Sequence, residues 1–371
     1  MCAAAEAARA KYGRAAQFLL VVLPVKATEE YREVKRVSDV VLGVPSQVVT
    51  GKAARIGRQN NQDRAGGPVY CANLALKINS KLGGVNVSLS HGPRYLPVLG
   101  GARAAPFMIL GADVTHPTGP SCKPGVKEPS VAAVVASLDQ TLGRWASRVL
   151  LQAGRQEVIT GMGGATKELL LEFYRANRGA KPQRLVMYRD GVGEAQFEQA
   201  LAEEFVAMRK ACTDLQEDYR PAITFVIVQK RHNTRLLPSD SSAADRKGNV
   251  VPGTVVDRGI TNSATFDFYL NSHAGVLGTN KPAHYHVLVD EIGFGADGMQ
   301  LLTYWLCYLY QRTTKSVSYC PPAYYADRAA YRGRQLLIAS ASAATTTPSA
   351  EGADAWFAGI HKDLTNVLYF M

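Results

Sequence analysis

Two stretches of this 371-residue chain end in the same way, and they limit what it can fold into more than anything else in it. FMILGAD (107–113) and RLVMYRD (184–190) each run bulky apolar residues into an aspartate, after which the apolar pattern breaks. Unbroken apolar runs of this length read as strands buried on both faces, the kind found at the centre of an α/β sheet. In such folds the strand ends are where a rigid scaffold presents reactive groups to a cleft. A lone aspartate there is ordinarily a turn former or a helix cap. Two aspartates at neighbouring strand ends repel each other unless a cation lies between them. A pair of hard cations about 4 Å apart, held by such oxygens, activates a water and stabilises the leaving oxygen of a phosphodiester.

The rest of the chain has the rhythm of an α/β protein. An Ala-rich helix leads into a strand in FLLVVLPV (18–25), then a helix in TEEYREVKRVSDVVLG with Thr28 as its N-cap. SQVVT forms a strand to Gly51, and YCANLALKINSKL a helix stopped by Gly83 and Gly84. A Gly/Pro-rich connection at 85–105 places a domain boundary near 100. Beyond it the pattern predicts strands at 107–112, 131–138, 184–188, 223–230, 254–256, 266–272 and 284–290. Helices are predicted over 144–176, 194–213 and 297–314, the last capped by Asp297. The low-complexity tract 339–355 reads as a disordered loop, and WFAGIHKDLTNVLYFM as a closing helix.

The net charge of +11 and pI near 9.3 suit a polyanionic partner. Six cysteines without a C-x-x-C pair argue against a zinc site or a disulfide framework and favour a reducing compartment, with Cys71 and Cys307 in the core. No apolar run approaches the roughly 20 residues that span a bilayer, so no membrane is expected. Tyr31 and Lys35 share one helix face, and Lys77 and Lys81 another. These are either solvated lysines or the walls of an anion pocket.

Several motifs occur in a fixed order: LGADVTHP, YRDGVGEAQF, VQKRHNTRL, FDFYLNSHAGVLGT, HYHVLVDE and PPAYYADRAAYRGR. In this order they resemble the Piwi domain of an Argonaute protein, of the eukaryotic Argonaute branch. Upstream, VLPVKATEEYREVKRVSDVVLGVPSQVV and NLALKINSKLGGVN resemble the Mid domain. The resemblance implies a partial, Rossmann-like Mid domain over 1–100 and a ribonuclease H-like Piwi domain over 101–371. The family's N-terminal and PAZ domains have no counterpart in the 371 residues.

By that resemblance Asp113, Glu157 (in GRQEVI), Asp190 and Asp327 form the catalytic set, with Asp113, Asp190 and Asp327 as ligands for two Mg²⁺ or Mn²⁺ ions. Asp327 stands where many members carry histidine, and an aspartate ligates a hard cation at least as naturally. Tyr31, Lys35, Gln47, Lys77, Lys81 and Arg332 match the family's pocket for the guide 5′ phosphate. Lys230, Arg231, Arg312, Ser318 and Tyr324 match contacts to the guide backbone, which position a strand without reading its sequence. His116, His284 and His286 read as structural. The implied partners are a small guide RNA, a complementary target RNA and glycine-tryptophan-rich silencing proteins, in the cytoplasm with a nuclear share left open. Two functions fit: a guide-dependent endoribonuclease, or a guide-loaded protein that silences by recruiting partners without cutting. Another ribonuclease H-like nuclease, such as a transposase, would have no use for the phosphate pocket.

Overall fold

The computed structural model describes residues 1–51, 67–89, 105–117, 128–343, 357 and 359–371. The boundary expected near 100 and residues 344–355 of the low-complexity tract lie outside them.

The first part of the chain is small. Helix α1 (Cys2–Tyr12) precedes β1 (Leu19–Leu23), which pairs in parallel with β2 (Ser46–Thr50). Between them lies α2 (Thr28–Arg36), continued by a wider turn of helix over Val37–Leu42. Ala27, not Thr28, is at the N-cap, and Thr28 is the first helical residue, so its hydroxyl does not cap. Helix α3 (Pro68–Lys81) follows, with proline in its first turn, where a missing N–H costs nothing.

The larger part is one eight-stranded sheet in the order β5-β4-β3-β6-β7-β10-β9-β8. Its strands are β3 (Phe107–Thr115), β4 (Ser130–Ser137), β5 (Trp145–Gln152), β6 (Arg184–Asp190) and β7 (Ala222–Gln229). Beyond them come β8 (Thr254–Val256), β9 (Phe266–Asn271) and β10 (Ala283–Asp290). β3 is antiparallel to β4 and parallel to β6, and β6 is parallel to β7. This is the ribonuclease H-like arrangement that the sequence motifs imply. Among the described residues, no helix is long and apolar enough to cross a membrane.

Both faces of the sheet are covered. Met108, Leu110, Ala112, Leu185 and Met187 pack against α4 (Met162–Ala176) and α6 (Val206–Leu215). A single turn, α5 (Phe197–Ala200), precedes α6. Phe107, Ile109, Val186, Tyr188, Val226 and Val228 pack on the other side, against α7 (Gly295–Leu306) and α8 (Pro321–Ala343).

Four expectations are corrected here. The helix predicted over 144–176 is β5 followed by α4, because WASRVLLQ takes its backbone partners from β4 along its whole length. The helix predicted over 297–314 runs instead from Gly295 to Leu306, with Phe294 rather than Asp297 at its cap. The closing segment is not a helix: a 3-10 turn at Lys362–Leu364 leads to a buried tail, Leu368 to Met371, inserted in the main core. The start of the tract expected to be disordered is helical, since α8 continues to Ala343.

Candidate nucleic-acid interface

The two-residue period of a strand decides where the aspartates go. Asp113 continues the row Phe107, Ile109, Gly111 on β3, and Asp190 the row Val186, Tyr188 on β6. Ala112 lies opposite Arg189, so the two aspartates come out side by side at one end of the sheet, on the face that α8 covers. Lys230 continues the row Val226, Val228 of β7 onto the same face. α8 brings Asp327 down from above, and the loop between β5 and α4 brings Glu157. All five line one cleft of about 860 Å³.

Gly191, directly after Asp190, has φ of +93°. A Cβ there would sit 3.1 Å from Glu157 Oε1 and 3.3 Å from Asp113 Oδ1, so a glycine is needed where two carboxylates close on the backbone. Asp113 and Asp190 are both buried. Burial, and then repulsion from Asp190, pushes the Asp113 carboxyl well above the usual carboxylate range, against the pull of Lys230. Burial also raises Asp190, with Lys230 opposing and Asp327 adding to it. Oxygen donors that are reluctant to carry their charge, and are held together by the fold, suit a hard divalent cation.

Glu157 is held by residues that the sequence reading missed or set aside. His116 lies 2.7 Å from one carboxylate oxygen through Nε2, and its Nδ1 lies 2.9 Å from Ser130 Oγ. His116, read as structural, is thus a hydrogen-bonded histidine that holds a residue of the proposed catalytic set. Arg189, fully buried on the opposite face from Asp190, donates to the Glu157 carboxylate at 3.1 Å and to its carbonyl at 2.5 Å. The same guanidinium grips Glu204, whose carboxylate accepts the backbone N–H of Ile159. The loop is thus stapled at Glu157 and at Ile159 just beyond it. The arginine in YRDG was the available signal.

The acidic set is open. Among the described residues, the one His/Cys/Asp/Glu trio whose ligand atoms lie within 4.8 Å of one another is Asp267, His284 and His286, elsewhere on β9 and β10. There His284 bonds Asp267 at 2.6 Å and stacks on Tyr269, while His286 faces Gln229, which fits their reading as structural.

A second cavity, of about 230 Å³, is lined by Tyr31, Lys35, Gln47, Lys77, Lys81 and Arg332, so the whole proposed phosphate set converges. Arg312, expected on the guide backbone, lines this cavity too. Lys35 donates to the carbonyl and hydroxyl oxygens of Ser46, and Lys81 to the Ser46 carbonyl and Gln47 Oε1. Arg332 reaches from α8 to Asp39 at 2.5 Å and donates to the Tyr31 hydroxyl at 3.3 Å. Burial, and then Arg332, pull Lys35 down to about 7. Burial and the neighbouring Lys35 hold Lys81 well below its usual value, and burial and Arg312 lower Lys77. Crowded, dehydrated cations of this kind, with Asp39 as a neighbouring carboxylate, favour a further anionic ligand. Ser46 and Asp39 hold these cations from behind the lining, and neither carries a sequence signal: SDVV around Asp39 reads as ordinary helix, and Ser46 as the start of a strand.

The remaining backbone set is dispersed. Arg231 lines the acidic cleft beside Lys230. Tyr324 is stacked between Tyr310 and Tyr319, at 4.5 and 4.6 Å between ring centres. Ser318 lies half-buried in the turn before α8.

Comparison with known proteins agrees with this fold. A profile described as Piwi domain matches residues 18–337. Protein argonaute 5 of Arabidopsis thaliana is 46% identical over 86% of the chain, which spans 32% of that relative. Protein argonaute 1C of Oryza sativa subsp. japonica is 45% identical over 91% of the chain and 34% of its own length. The chain thus spans about a third of these curated relatives. Among solved structures, the C-terminal lobe of a budding yeast Argonaute superposes with a TM-score of 0.83 at 28% identity, covering 95% of this chain and 69% of that one. Kluyveromyces polysporus Argonaute with a guide RNA gives 0.82 at 29% identity, covering 95% and 42%. The chain belongs to the Argonaute family and carries its Piwi domain.

Proposed function

We propose that this chain is the part of a small-RNA-guided silencing protein that holds the guide 5′ end and cuts the paired RNA. Residues 1–100 serve chiefly the first task and 101–371 the second. One observation carries the reading: the six residues matched to the phosphate pocket line one cavity, the four carboxylates line another, and Arg328, Tyr331 and Gln335 line both. The two cavities therefore share a wall, which supports one nucleic-acid complex serving both.

In the first cavity Lys35, Lys77, Lys81 and Arg332 neutralise the phosphate, and Gln47 and Tyr31 orient it. In the second, Asp113, Asp190 and Asp327 would hold two Mg²⁺ or Mn²⁺ ions, which supply an activated water and charge neutralisation at the leaving oxygen. Glu157, fixed by His116 and Arg189, completes the carboxylate ring around the scissile phosphodiester. Arg231 and Lys230 face the backbone of the strands. The substrates, RNAs, place this work in the cytoplasm or the nucleus.

The test is single-turnover cleavage of a complementary RNA by protein loaded with a 5′-phosphorylated guide, with and without Asp113→Ala. One cut opposite the guide centre, lost in the variant, is expected. Cleavage that survives the substitution refutes the assignment. A second reading, guide binding and partner recruitment without cleavage, is favoured by the openness of the acidic set. Tight guide binding with no cut in Mg²⁺ or Mn²⁺ would select it.

A further inference from the structure

Lys230 occupies an unusual place. It follows the last residue of β7, and its side chain enters the acidic cleft from the sheet. Its Nζ lies 2.5 Å from Asp190 Oδ2 and 3.9 Å from Asp327 Oδ1. It donates to the Tyr319 hydroxyl at 3.2 Å and sits 4.3 Å above that ring. Only 28% of the side chain is exposed.

We propose that Lys230 is a tethered counter-ion, its ammonium standing where a cation shared by Asp190 and Asp327 has to stand. The proposal rests on the reading of the cleft as a divalent-cation site. A Mg²⁺-sized ion approaches carboxylate oxygens to about 2.0–2.1 Å, so it cannot share that space with an ammonium already in contact with one of them. Cation binding must therefore displace Lys230. The displaced group needs a new anion, and it has a short route to one: a flexible four-carbon stem, an open side toward the cleft, and Arg231 next to it on the wall where a nucleic-acid backbone would run. A phosphodiester arriving there takes the ammonium and leaves the carboxylates to the cation. Cation binding and RNA binding then favour each other through one side chain. A strand-free cleft stays neutralised and binds divalent cations weakly.

The experiment is Mn²⁺ binding to the guide-free 371-residue chain, followed by electron paramagnetic resonance of the free ion. Lys230→Met is expected to bind Mn²⁺ at least about tenfold more tightly than the unsubstituted chain, because a unit positive charge within contact range has been removed. Lys230→Gln, measured in parallel, guards against a packing defect in one variant, and thermal melts by circular dichroism verify that both fold. Lys230→Arg, which keeps the charge, and Lys210→Met, which removes one on the exposed side of α6, should stay near the starting affinity. Adding 5′-phosphorylated single-stranded RNA should tighten Mn²⁺ binding to the unsubstituted chain and leave Lys230→Met unchanged. If Asp113→Asn abolishes Mn²⁺ binding but both neutral Lys230 variants bind no more tightly, the counter-ion role is overturned and the cation site stands. If RNA tightens Mn²⁺ binding equally in Lys230→Met, the transfer to phosphate is overturned. If no form of the chain binds Mn²⁺ saturably, the cation site and the counter-ion role fall together.

Discussion

At the scale of single residues, the site depends on charges whose neighbours were chosen with them. Arg189 is the clearest case, because one buried guanidinium holds Glu204, Glu157 and the chain between them. Replacing it with methionine leaves the Glu204 carboxylate buried without its partner, a loss of about 3–5 kcal/mol. Denaturant unfolding of Arg189→Met should show this cost, and guide-directed cleavage should fall further than folding alone explains. Lys35 gives a pH dependence with a definite sign. Its value, pulled to about 7 in the folded protein, lies below that of the unfolded chain. Between those two values the unfolded state binds more protons, so the guide-free protein gains stability as pH rises through that window and loses it as pH falls toward 7. Binding a 5′ phosphate needs the charged lysine, so guide affinity should fall over the same rise. Melting curves and guide titrations at pH 7 and 9 check both slopes, and Lys35→Met should flatten the first. That Asp113 meets Asp190, and that the proposed phosphate set lines one cavity, was legible because these residues lie in motifs that occur in a fixed order. Asp39, Ser46 and Glu204 were not, because each acts only through a partner that folding supplies from elsewhere in the chain.

At the scale of elements, the buried strands were legible and several helices were not. β3, β6 and β7 are apolar on both faces, and runs this short, bounded by turn residues, read as buried strands. β5 was misread because Leu, Ala and Arg favour helix locally, and only pairing with β4 overrides them. Gly111 carries information of the same tertiary kind. In the sequence it is a weak strand residue, but in the fold any Cβ there overlaps the Pro322 carbonyl at the start of α8. Gly111→Ala should push α8 off the sheet at a cost of about 1–3 kcal/mol. It should also impair target cleavage more than guide binding, because Asp327 lies nearer the displaced end than Arg332 does. Paired cleavage and guide-binding assays on the folded variant measure the difference.

At the scale of the whole molecule, the small β1–β2 sheet presents apolar side chains to solvent. Leu20 and Val22 point outward from β1 and are 57% and 50% exposed. An apolar two-stranded sheet invites self-association. Leu20→Ser with Val22→Thr should leave the melting temperature of the chain almost unchanged and lower its aggregation at high concentration, as light scattering would show.

The two cavities meet along α8, which carries Asp327 to one and Arg332 to the other, five residues apart. At about 1.5 Å of rise per residue, that is a fixed offset of roughly 7.5 Å along a stiff rod. If the proposed function holds, a rod of this kind would work as a gauge: the place where a paired strand is severed would be counted from the clamped end of the guide, and nucleotides added at the far end would leave the product length as it was.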